Sequence, residues 1–464
     1  MSAAHTTRLF GTDGIRAEAG KFPLDRPTIR TIGRSLTEHL TERMGRSPRI
    51  VIGRDTRESG PWIVRDLIGS ARKAGAQARS AGIITTPGVA FLTRSVNADA
   101  GIVISASHNP YHDNGIKIFE PSGRKLDDAV ERTIERDIAD DKQAYSIEPD
   151  VGVVSEVEFD ADADALSKKY LDFLANDVAQ DLSLDGQTIV VDCANGASYK
   201  LAPKLLARLG ARVHAINVEP NGRNINLDSG SLHLEGLQQT VLNTQSNLGV
   251  AFDGDADRAL FVDAKGNIVD GDGTLWILAN HLESRAELNQ HQVVATTMSN
   301  MGLEVALREK GIRLMRTDVG DKYVLDELVR RGASLGGEQS GHIIFPRISL
   351  AGDGMITMIC LLRAVQDERK SLHELAAGFP RYPQLLVNVR VREKVPFEKL
   401  PAVQEFADRI QGQFKGRGRV LLRYSGTESL ARVMIEGERQ KEVEAAANAL
   451  AEVISREIGE QPAQ

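Results

Sequence analysis

The sequence at residues 101–117 reads GIVISASHNPYHDNGIK. Its apolar, β-branched start predicts a buried strand, and the serines, histidine and Asn-Pro pair that follow predict a loop. Functional groups lie at the carboxyl ends of buried parallel strands, which would place Ser107 at such an end, beside His108 and ten residues before Lys117. A serine needs help to act as a nucleophile, and an ordinary turn explains this stretch equally well on its own.

The composition limits the class of protein. A chain of 464 residues is too long for one core, so we expect three or four domains. A net charge of −7 argues against a general nucleic-acid surface, and two cysteines cannot form a disulfide framework or a zinc spacing. Neither a secretory signal nor a membrane-length apolar run is found. We therefore expect a cytoplasmic protein that binds neither nucleic acid nor membrane.

Strand and helix patterns alternate over the first 370 or so residues, which predicts βαβ units and mostly parallel sheets. Residues 81–86 are expected to form a strand closed by Pro87-Gly88, and the acidic residues 141–164 a linker. The last 90 or so residues change to alternating strands and an amphipathic helix at residues 441–458, which predicts an antiparallel α+β module. The predicted domains are residues 1–155, 156–257, 258–371 and 372–464. The first three share a similar size and element order, so we expect a structural repeat.

Three aspartates, Asp253, Asp255 and Asp257, follow directly after a predicted strand at residues 248–252. In a tight loop their carboxylates can converge on one cation, and three hard oxygen ligands suit Mg²⁺. An EF-hand is excluded, because Arg258 and Ala264 stand where its glycine and its last acid are needed. An acidic surface turn is the alternative, but like charges this close repel unless a cation neutralises them.

Several polar loops carry groups suited to a sugar phosphate. Residues 11–16, GTDGIR, form a turn that can present backbone N–H groups and the Arg16 cation. The planar guanidinium of Arg258 matches phosphate oxygens, although an ion pair with the neighbouring aspartates would also explain it. Residues 423–427, RYSGT, combine a cation, hydroxyls and glycine as a phosphate cradle would, and residues 336–342, GGEQSGH, can hydrogen-bond sugar hydroxyls. Each of these loops, taken singly, is also compatible with an ordinary turn.

Together these segments resemble the α-D-phosphohexomutase family. The matching stretches are residues 11–16, 105–110, 114–117, 253–258, 337–342 and 423–428, in the family's order and spacing across nearly the whole chain. Residues 299–303, 319–324 and 337–344, which include Gln339, most resemble the members that act on glucosamine phosphates. Phosphomannomutases and phosphoglucomutases of the same family remain the alternative. The sequence departs from the family pattern at Ala256 and Ser429, where glycine and proline are common.

The resemblance implies three similar α/β domains with mixed sheets and a C-terminal antiparallel α+β domain, around a central cleft. It implies an intramolecular phosphotransferase that interconverts glucosamine 6-phosphate and glucosamine 1-phosphate through a bisphosphorylated sugar, and so supplies UDP-N-acetylglucosamine synthesis. Ser107 would be carried as phosphoserine, and Mg²⁺ would be held by Asp253, Asp255, Asp257 and an oxygen on Ser107. The protein would act on small sugar phosphates as a monomer or homodimer.

The resemblance also implies roles for the remaining site residues. Lys117 and His108 are candidates for proton transfer and phosphoryl stabilisation, and Arg16 and Arg258 would clamp the phosphoserine side. Sugar hydroxyls would be bound by Glu338, Ser340 and His342, and the second phosphate by Arg423, Ser425, Gly426, Thr427 and Arg432. A non-catalytic sugar-phosphate sensor and a Mg²⁺-dependent phosphatase are the alternatives from other classes. The combination of serine, aspartates and second phosphate cradle favours transfer over both.

Overall fold

The structure is a computed structural model that describes residues 8–11, 13–141, 161–425 and 429–460. These residues form two compact units. One contains the described residues up to Thr297 together with Met315–Ala376, and the other contains Met298–Leu314 together with the described residues from Ala377 onward. Most of the predicted linker at residues 141–164 lies outside the described residues.

The first sheet carries the Ser107 loop. Its five strands lie in the order Ile15–Glu18, Asp113–Phe119, Ala100–Ile104, Arg49–Arg54 and Gln77–Ile83, and the helices of this region are Arg26–Met44, Gly60–Lys73, Thr86–Ser95 and Asp128–Asp141. The last three strands in this order run parallel, and the first two are antiparallel to their neighbours. Apolar residues from the strands and from three of the helices form one buried core, which explains why residues 101–104 are so apolar.

Two elements of this region differ from the prediction. Residues 81–86 do not form one strand, because the strand ends at Ile83 and the helix Thr86–Ser95 begins where a turn was expected. The Thr85 side chain accepts a hydrogen bond from the Gly88 N–H, and Pro87 lies in the first turn, where its missing N–H costs nothing. No strand was predicted at Asp113–Phe119, and pairing with two neighbouring strands forms one there despite its Asn-Gly pair, which favours a turn.

The second sheet carries the aspartate loop. Its strands lie in the order Ile268–Val269, Ala259–Asp263, Leu248–Phe252, Thr188–Asp192 and Arg212–Ile216, and its helices are Ala163–Phe173, Leu201–Arg208 and Glu235–Thr244, with a π-helical turn at Leu174–Val178 and a 3₁₀ turn at Gly230–Leu232. The strand Ala259–Asp263 pairs antiparallel with Leu248–Phe252. The predicted domain boundary after residue 257 therefore falls inside a hairpin of this sheet.

The third sheet carries the loop at residues 338–342. Its strands lie in the order Arg313–Thr317, Gln292–Thr296, Gly336–Gly337 and Ile343–Ile344, and the helices of this part of the chain are Gly271–Ser284, Met301–Glu309, Asp321–Arg331, Gly354–Glu368 and Leu372–Ala376, with a 3₁₀ turn at Asn289–His291. The helix Asp321–Arg331 was not predicted. Its acidic first residue and its αL end at Gly332 are ordinary helix boundaries, so the missed signal was present in the sequence.

The same motif occurs in all three sheets. A strand that is parallel to one neighbour runs into a polar loop, and the chain returns as an antiparallel strand: Ala100–Ile104 to Asp113–Phe119, Leu248–Phe252 to Ala259–Asp263, and Gly336–Gly337 to Ile343–Ile344. The three polar loops singled out in the sequence thus occupy equivalent positions. The expected structural repeat and the predicted mixed sheets are confirmed.

The C-terminal region is an antiparallel sheet covered by helices, as predicted. Its strands lie in the order Gln384–Arg390, Leu430–Gly437 and Gly418–Tyr424, and its helices are Pro401–Gln413 and Gln440–Ile458, with a 3₁₀ turn at Phe397–Lys399. Apolar residues of the long last helix pack on the sheet in a separate core. Across the part of the chain that the structure describes, none of the helices is both long and apolar enough to span a membrane.

Candidate active site

Ser107 lies in the loop that follows the strand Ala100–Ile104, and it is 1% exposed. Its backbone is in the left-handed region, with a φ of 52°. The Ser107 N–H donates to Ser105 Oγ at 3.0 Å, and its own hydroxyl donates to Asp253 Oδ2 at 2.5 Å. The serine singled out in the first sheet therefore contacts the aspartate loop of the second sheet, 146 residues away.

Asp253, Asp255 and Asp257 are buried, and one oxygen from each lies within 4.8 Å of the others. Burial, followed by repulsion from the other two aspartates, raises the pKa of Asp253 well above its usual value. Among the described residues, Asp255 Oδ1 and Asp257 Oδ1 are buried without a hydrogen-bond partner. Buried carboxylate oxygens that lack partners are unstable unless a cation coordinates them, so this donor set fits a hard divalent metal ion.

Ala256 lies between the last two aspartates at a φ of 56°. Glycine adopts this left-handed conformation freely, whereas a residue with a Cβ pays about 1 kcal/mol or more. The departure from the family pattern at this position is therefore a matter of backbone strain rather than of side-chain size. The aspartates still converge, since Ala256 is fully buried and its N–H donates to the Asp253 carbonyl at 3.1 Å.

Lys117 brings a buried positive charge to the aspartates from the unpredicted strand Asp113–Phe119. Its Nζ lies 2.9 Å from Asp255 Oδ2, 3.5 Å from Asp257 Oδ2 and 3.1 Å from Asp13 Oδ2, and its side chain is 1% exposed. Burial opposes its charge, but Asp13, Asp255 and Asp257 raise the pKa of Lys117 well above its usual value. Lys117 therefore stays protonated and supplies charge at the site.

The guanidinium groups of Arg16 and Arg258 lie near His108. Its Nδ1 lies 3.4 Å from Ser107 Oγ. Burial, followed by the charges of Arg258 and Arg16, lowers the pKa of His108 to about 4. Arg16 is paired with Asp13, and Arg258 Nε lies 3.8 Å from Asp257 Oδ1. Within the described residues the buried Nε atoms of both arginines lack hydrogen-bond partners, so the region beside Ser107 is suited to an anion.

The predicted sugar loop reaches the same place through His342. Its Nδ1 lies 3.7 Å from Asp257 Oδ2, and its Nε2 lies 4.0 Å from Asp321 Oδ2. Burial opposes the charge of His342, but the nearby carboxylates of Asp257 and Asp321 raise its pKa to about 9. Glu338 Oε1 accepts from the Gly320 N–H at 3.1 Å, and Ser340 is half-buried. The structure thus ties His342 to the aspartates, while a sugar contact by Glu338, Ser340 or His342 stays a prediction.

The predicted phosphate cradle lies in the C-terminal sheet. Arg423 and Arg432 are directly opposite each other on adjacent antiparallel strands, and Arg432 Nη2 lies 3.5 Å from Ser425 Oγ. Burial, followed by the charge of Arg432, lowers the pKa of Arg423. Two cations this close favour an anion between them. Gly426 and Thr427 lie outside the described residues.

Four residues that contribute to the site were not predicted from the sequence: Asp13, Thr86, Lys125 and Asp321. Lys125 Nζ joins Asp13 Oδ1 at 2.6 Å and Asp321 Oδ2 at 2.5 Å, which links the amino-terminal loop to the helix Asp321–Arg331. Thr86 Oγ1 donates to Asp255 Oδ2 at 2.6 Å. The helix start that positions Thr86 was visible in the sequence as Thr85 with a proline two residues later, but the partner of Thr86, 169 residues away, was not.

Comparisons with known proteins assign the chain to a family. Four domain families of phosphoglucomutase/phosphomannomutase match, domains I, II and III at residues 7–145, 168–266 and 270–382 and the C-terminal domain at residues 386–453. The phosphoglucosamine mutase of Solibacter usitatus is 50% identical over 97% of this chain and 99% of the relative. That of Koribacter versatilis is 45% identical over 97% of each. The predicted enzyme class, a mutase, is confirmed by these relatives.

Solved structures agree at the level of the fold. A phosphoglucomutase/phosphomannomutase family protein from Burkholderia thailandensis superposes with a TM-score of 0.76 at 23% identity over 97% of both chains. The Aspergillus fumigatus N-acetylphosphoglucosamine mutase, solved with GlcNAc-6P and magnesium, gives a TM-score of 0.64 at 18% identity over 96% of this chain and 95% of that one. This chain belongs to the phosphoglucomutase/phosphomannomutase family, the α-D-phosphohexomutases that its sequence resembles.

Proposed function

We propose that the protein is a phosphoglucosamine mutase that interconverts glucosamine 6-phosphate and glucosamine 1-phosphate. The observation that carries the chemistry is the hydrogen bond of 2.5 Å between Ser107 Oγ and Asp253, which joins a buried serine to three buried aspartates. The sugar preference rests on the two relatives of that name, which are 45–50% identical over nearly the full chain. The product would supply amino-sugar nucleotide synthesis.

In this proposal Ser107 enters the cycle as phosphoserine. A hydroxyl of the sugar monophosphate attacks the phosphorus, the bond from phosphorus to Ser107 Oγ breaks, and a bisphosphorylated sugar forms. The proton lost by the attacking hydroxyl is passed to the leaving Ser107 oxygen, which becomes a hydroxyl again. The intermediate then turns around and returns its other phosphate to Ser107. Mg²⁺ held by Asp253, Asp255, Asp257 and an oxygen on Ser107 would neutralise charge on the transferring group.

The other residues have roles that follow from their positions. Lys117 supplies a fixed positive charge beside the aspartates, and Arg16 and Arg258 clamp the phosphoryl group on Ser107. His108, whose Nδ1 is 3.4 Å from Ser107 Oγ, is the candidate for proton transfer, whereas protonated Lys117 would stabilise the transferring phosphoryl group. Glu338, Ser340 and His342 would bind sugar hydroxyls. Arg423, Ser425, Gly426, Thr427 and Arg432 would bind the second phosphate, since an exchange of two phosphates needs two anion sites.

Phosphorylation of Ser107 tests the mechanism. The wild-type protein, incubated with glucose 1,6-bisphosphate, should gain the mass of one phosphate, and Ser107→Ala should gain none, because the proposed acceptor oxygen is gone. Ser122→Ala, which removes an exposed loop serine, is the matched control and should be phosphorylated as the wild type is. Incorporation by Ser107→Ala at the wild-type level would place the acceptor elsewhere.

A kinetic comparison of glucosamine, glucose and mannose phosphates tests the substrate. The proposal predicts the highest kcat/KM for the glucosamine phosphates, and a clear preference for mannose phosphates would refute the sugar assignment. The same assay distinguishes the alternatives from other classes. Release of free phosphate without an isomeric product would indicate a phosphatase, and binding without turnover would indicate a sensor.

A further inference from the structure

Arg57 and Asp55 form the most deeply buried ion pair near the Ser107 loop. Both side chains are 0% exposed, and Arg57 Nε lies 2.9 Å from Asp55 Oδ2. They follow the strand Arg49–Arg54, whose carboxyl end lies beside that of Ala100–Ile104. A buried ion pair is costly to desolvate and contributes little stability compared with apolar residues of the same volume. This pair therefore calls for an explanation beyond packing.

The guanidinium of Arg57 donates most of its hydrogen bonds to backbone carbonyls in and next to the Ser107 loop. Its Nη2 donates to the carbonyl oxygens of Ser107 at 3.0 Å and Asn109 at 2.8 Å. Its Nη1 donates to the carbonyl oxygen of Asp113 at 3.0 Å and also to that of Pro110. One rigid side chain thus holds four backbone carbonyls of the loop and the start of the following strand.

Asp55 holds the other side of the same peptide units. Its Oδ2 accepts from Ser105 Oγ at 2.6 Å, and Ser105 Oγ accepts from the Ser107 N–H at 3.0 Å. The amide and the carbonyl of Ser107 are therefore both anchored to the Asp55–Arg57 pair. This matters because a φ of 52° is unfavourable for serine and persists only where the surroundings impose it.

A second anchor comes from the aspartate side. Asn226 Nδ2 donates to the carbonyl oxygens of Ser107 at 2.8 Å and Asn109 at 3.1 Å, the same two that Arg57 Nη2 contacts. The backbone of Gly254 lies so close that a Cβ there would be 2.5 Å from the Ser107 carbonyl oxygen, which leaves room only for glycine. The Ser107 carbonyl is thus fixed from both sheets, and its hydroxyl points at Asp253.

We propose that Arg57 and Asn226 are positioning residues for phosphoryl transfer. They hold the backbone of Ser107 in the left-handed conformation that directs its oxygen at the aspartates, and neither contacts the hydroxyl that carries the phosphoryl group. The inference rests on the proposed function, in which Ser107 is the phosphoryl carrier. It goes beyond that function by assigning the alignment of Ser107 to a buried side chain on a different strand and to a side chain from the second sheet.

The test is the variant Arg57→Lys, which keeps the charge but cannot reach four carbonyls from one point. Misplacement of a reacting group by about 1 Å can cost roughly 100-fold in rate, so we expect kcat to fall roughly 10- to 100-fold. KM should stay within about threefold of the wild-type value, because sugar binding does not involve Arg57. The single-turnover rate of Ser107 phosphorylation by glucose 1,6-bisphosphate should fall with kcat. A purely structural role would not separate kcat from KM in this way.

Arg30→Lys is the matched control. Arg30 is paired with the buried Asp66 at 3.5 Å on two helices of the same region, and this variant should leave kcat unchanged. If Arg57→Lys folds and its kcat is that of Arg30→Lys, the inference is wrong. If Arg57→Lys does not fold, Asn226→Gly decides, because glycine keeps the φ of 58° at this position and removes only the donor. Lower kcat with unchanged KM in Asn226→Gly supports the inference, and wild-type kcat overturns it.

The phosphorylation of the wild-type protein separates the two hypotheses. A wild-type protein that takes up no phosphate on Ser107 refutes the proposed function, whatever the variants do. Normal phosphorylation of the wild-type protein, together with unimpaired Arg57→Lys or Asn226→Gly, refutes only the positioning role.

Discussion

The replacement of Lys117 by methionine should destabilise the protein strongly. Lys117 Nζ lies within 3.5 Å of carboxylate oxygens from three different residues, Asp13, Asp255 and Asp257, and it is 1% exposed. Methionine has a similar length and no charge. The variant would therefore leave the buried carboxylates of Asp255 and Asp257 and the partly exposed carboxylate of Asp13 without the cation that they share.

The size of the effect follows from these distances. At an effective dielectric constant of about 20, a unit charge pair at 3 Å is worth roughly 5 kcal/mol, and the cost of desolvating the ions offsets much of this. Removal of one partner from a buried ion pair typically costs about 3–5 kcal/mol. For a domain of roughly 150 residues, we expect the temperature of the first thermal transition to fall by about 10 °C or more.

The loss of stability in Lys117→Met should depend on pH. Burial opposes the ionisation of Asp13, but Lys117, Lys125 and Arg16 hold its pKa well below the usual value. A carboxyl group of this kind contributes stability above its unfolded pKa and loses it as the pH falls through the folded pKa. The raised pKa of Lys117 makes its contribution complete at neutral pH. The difference between wild type and variant should therefore be full at pH 7–8 and should narrow only below about pH 4, the ordinary pKa of an aspartate.

The assay is thermal unfolding in EDTA from about pH 3 to about pH 8, and the chelator prevents bound metal from replacing the missing charge. Lys73→Met, at the exposed end of the helix Gly60–Lys73, is the control and should change the transition temperature by no more than about 2 °C, as expected for a surface substitution. If Lys117→Met unfolds within that same margin at pH 7, the three carboxylates do not depend on Lys117 and the reasoning fails.

Two further predictions concern metal binding and pH. Thr86→Val removes the hydroxyl that donates to Asp255 Oδ2 at 2.6 Å, and calorimetry should show Mg²⁺ affinity reduced roughly 10- to 100-fold. The control, Thr93→Val on the same helix, should bind Mg²⁺ as the wild type does. Equal Mg²⁺ affinities of the two variants would contradict this prediction. Burial, followed by repulsion from Asp128, raises the pKa of Glu131 to about 7. The folded state holds this proton more tightly than the unfolded chain, so wild-type stability falls as the pH rises from about 4.5 to about 7 and stays lower above that value. Glu131→Gln should therefore be more stable than the wild type by roughly 1–2 kcal/mol at pH 8.5 and equal to it at pH 4. If Glu131→Gln gains the same stability at pH 8.5 and at pH 4, the raised pKa of Glu131 is not the cause.

The sequence was most informative where chemistry follows a buried strand. Ser107 and Asp253 were found because each comes directly after an apolar run, and polar groups at the carboxyl ends of such strands are accessible to ligands. The same rule applies to Arg57, three residues after the strand Arg49–Arg54. It was missed because an arginine after a strand has many possible partners, and four backbone carbonyls are not a sequence pattern.

The sequence did not reveal the environment of residues whose neighbours come from other parts of the chain. No strand was assigned to the segment that carries Lys117, and pairing with two neighbouring strands places that segment in the sheet. His342 was assigned to sugar hydroxyls from its loop composition, and the structure also places it between Asp257 and Asp321. Local composition does not reveal which distant charges a side chain will meet.

The sequence by itself determined the helices and strands of most of the chain, the three polar loops, and the family. These depend on the periodicity of apolar residues and on short motifs, which are local properties. Only the tertiary structure decided that Ser107 meets Asp253, that Lys117 joins three carboxylates, and that Arg57 anchors the Ser107 backbone. The partners in these contacts lie 50 to 146 residues apart, and strand pairing and packing, not local preference, set such distances.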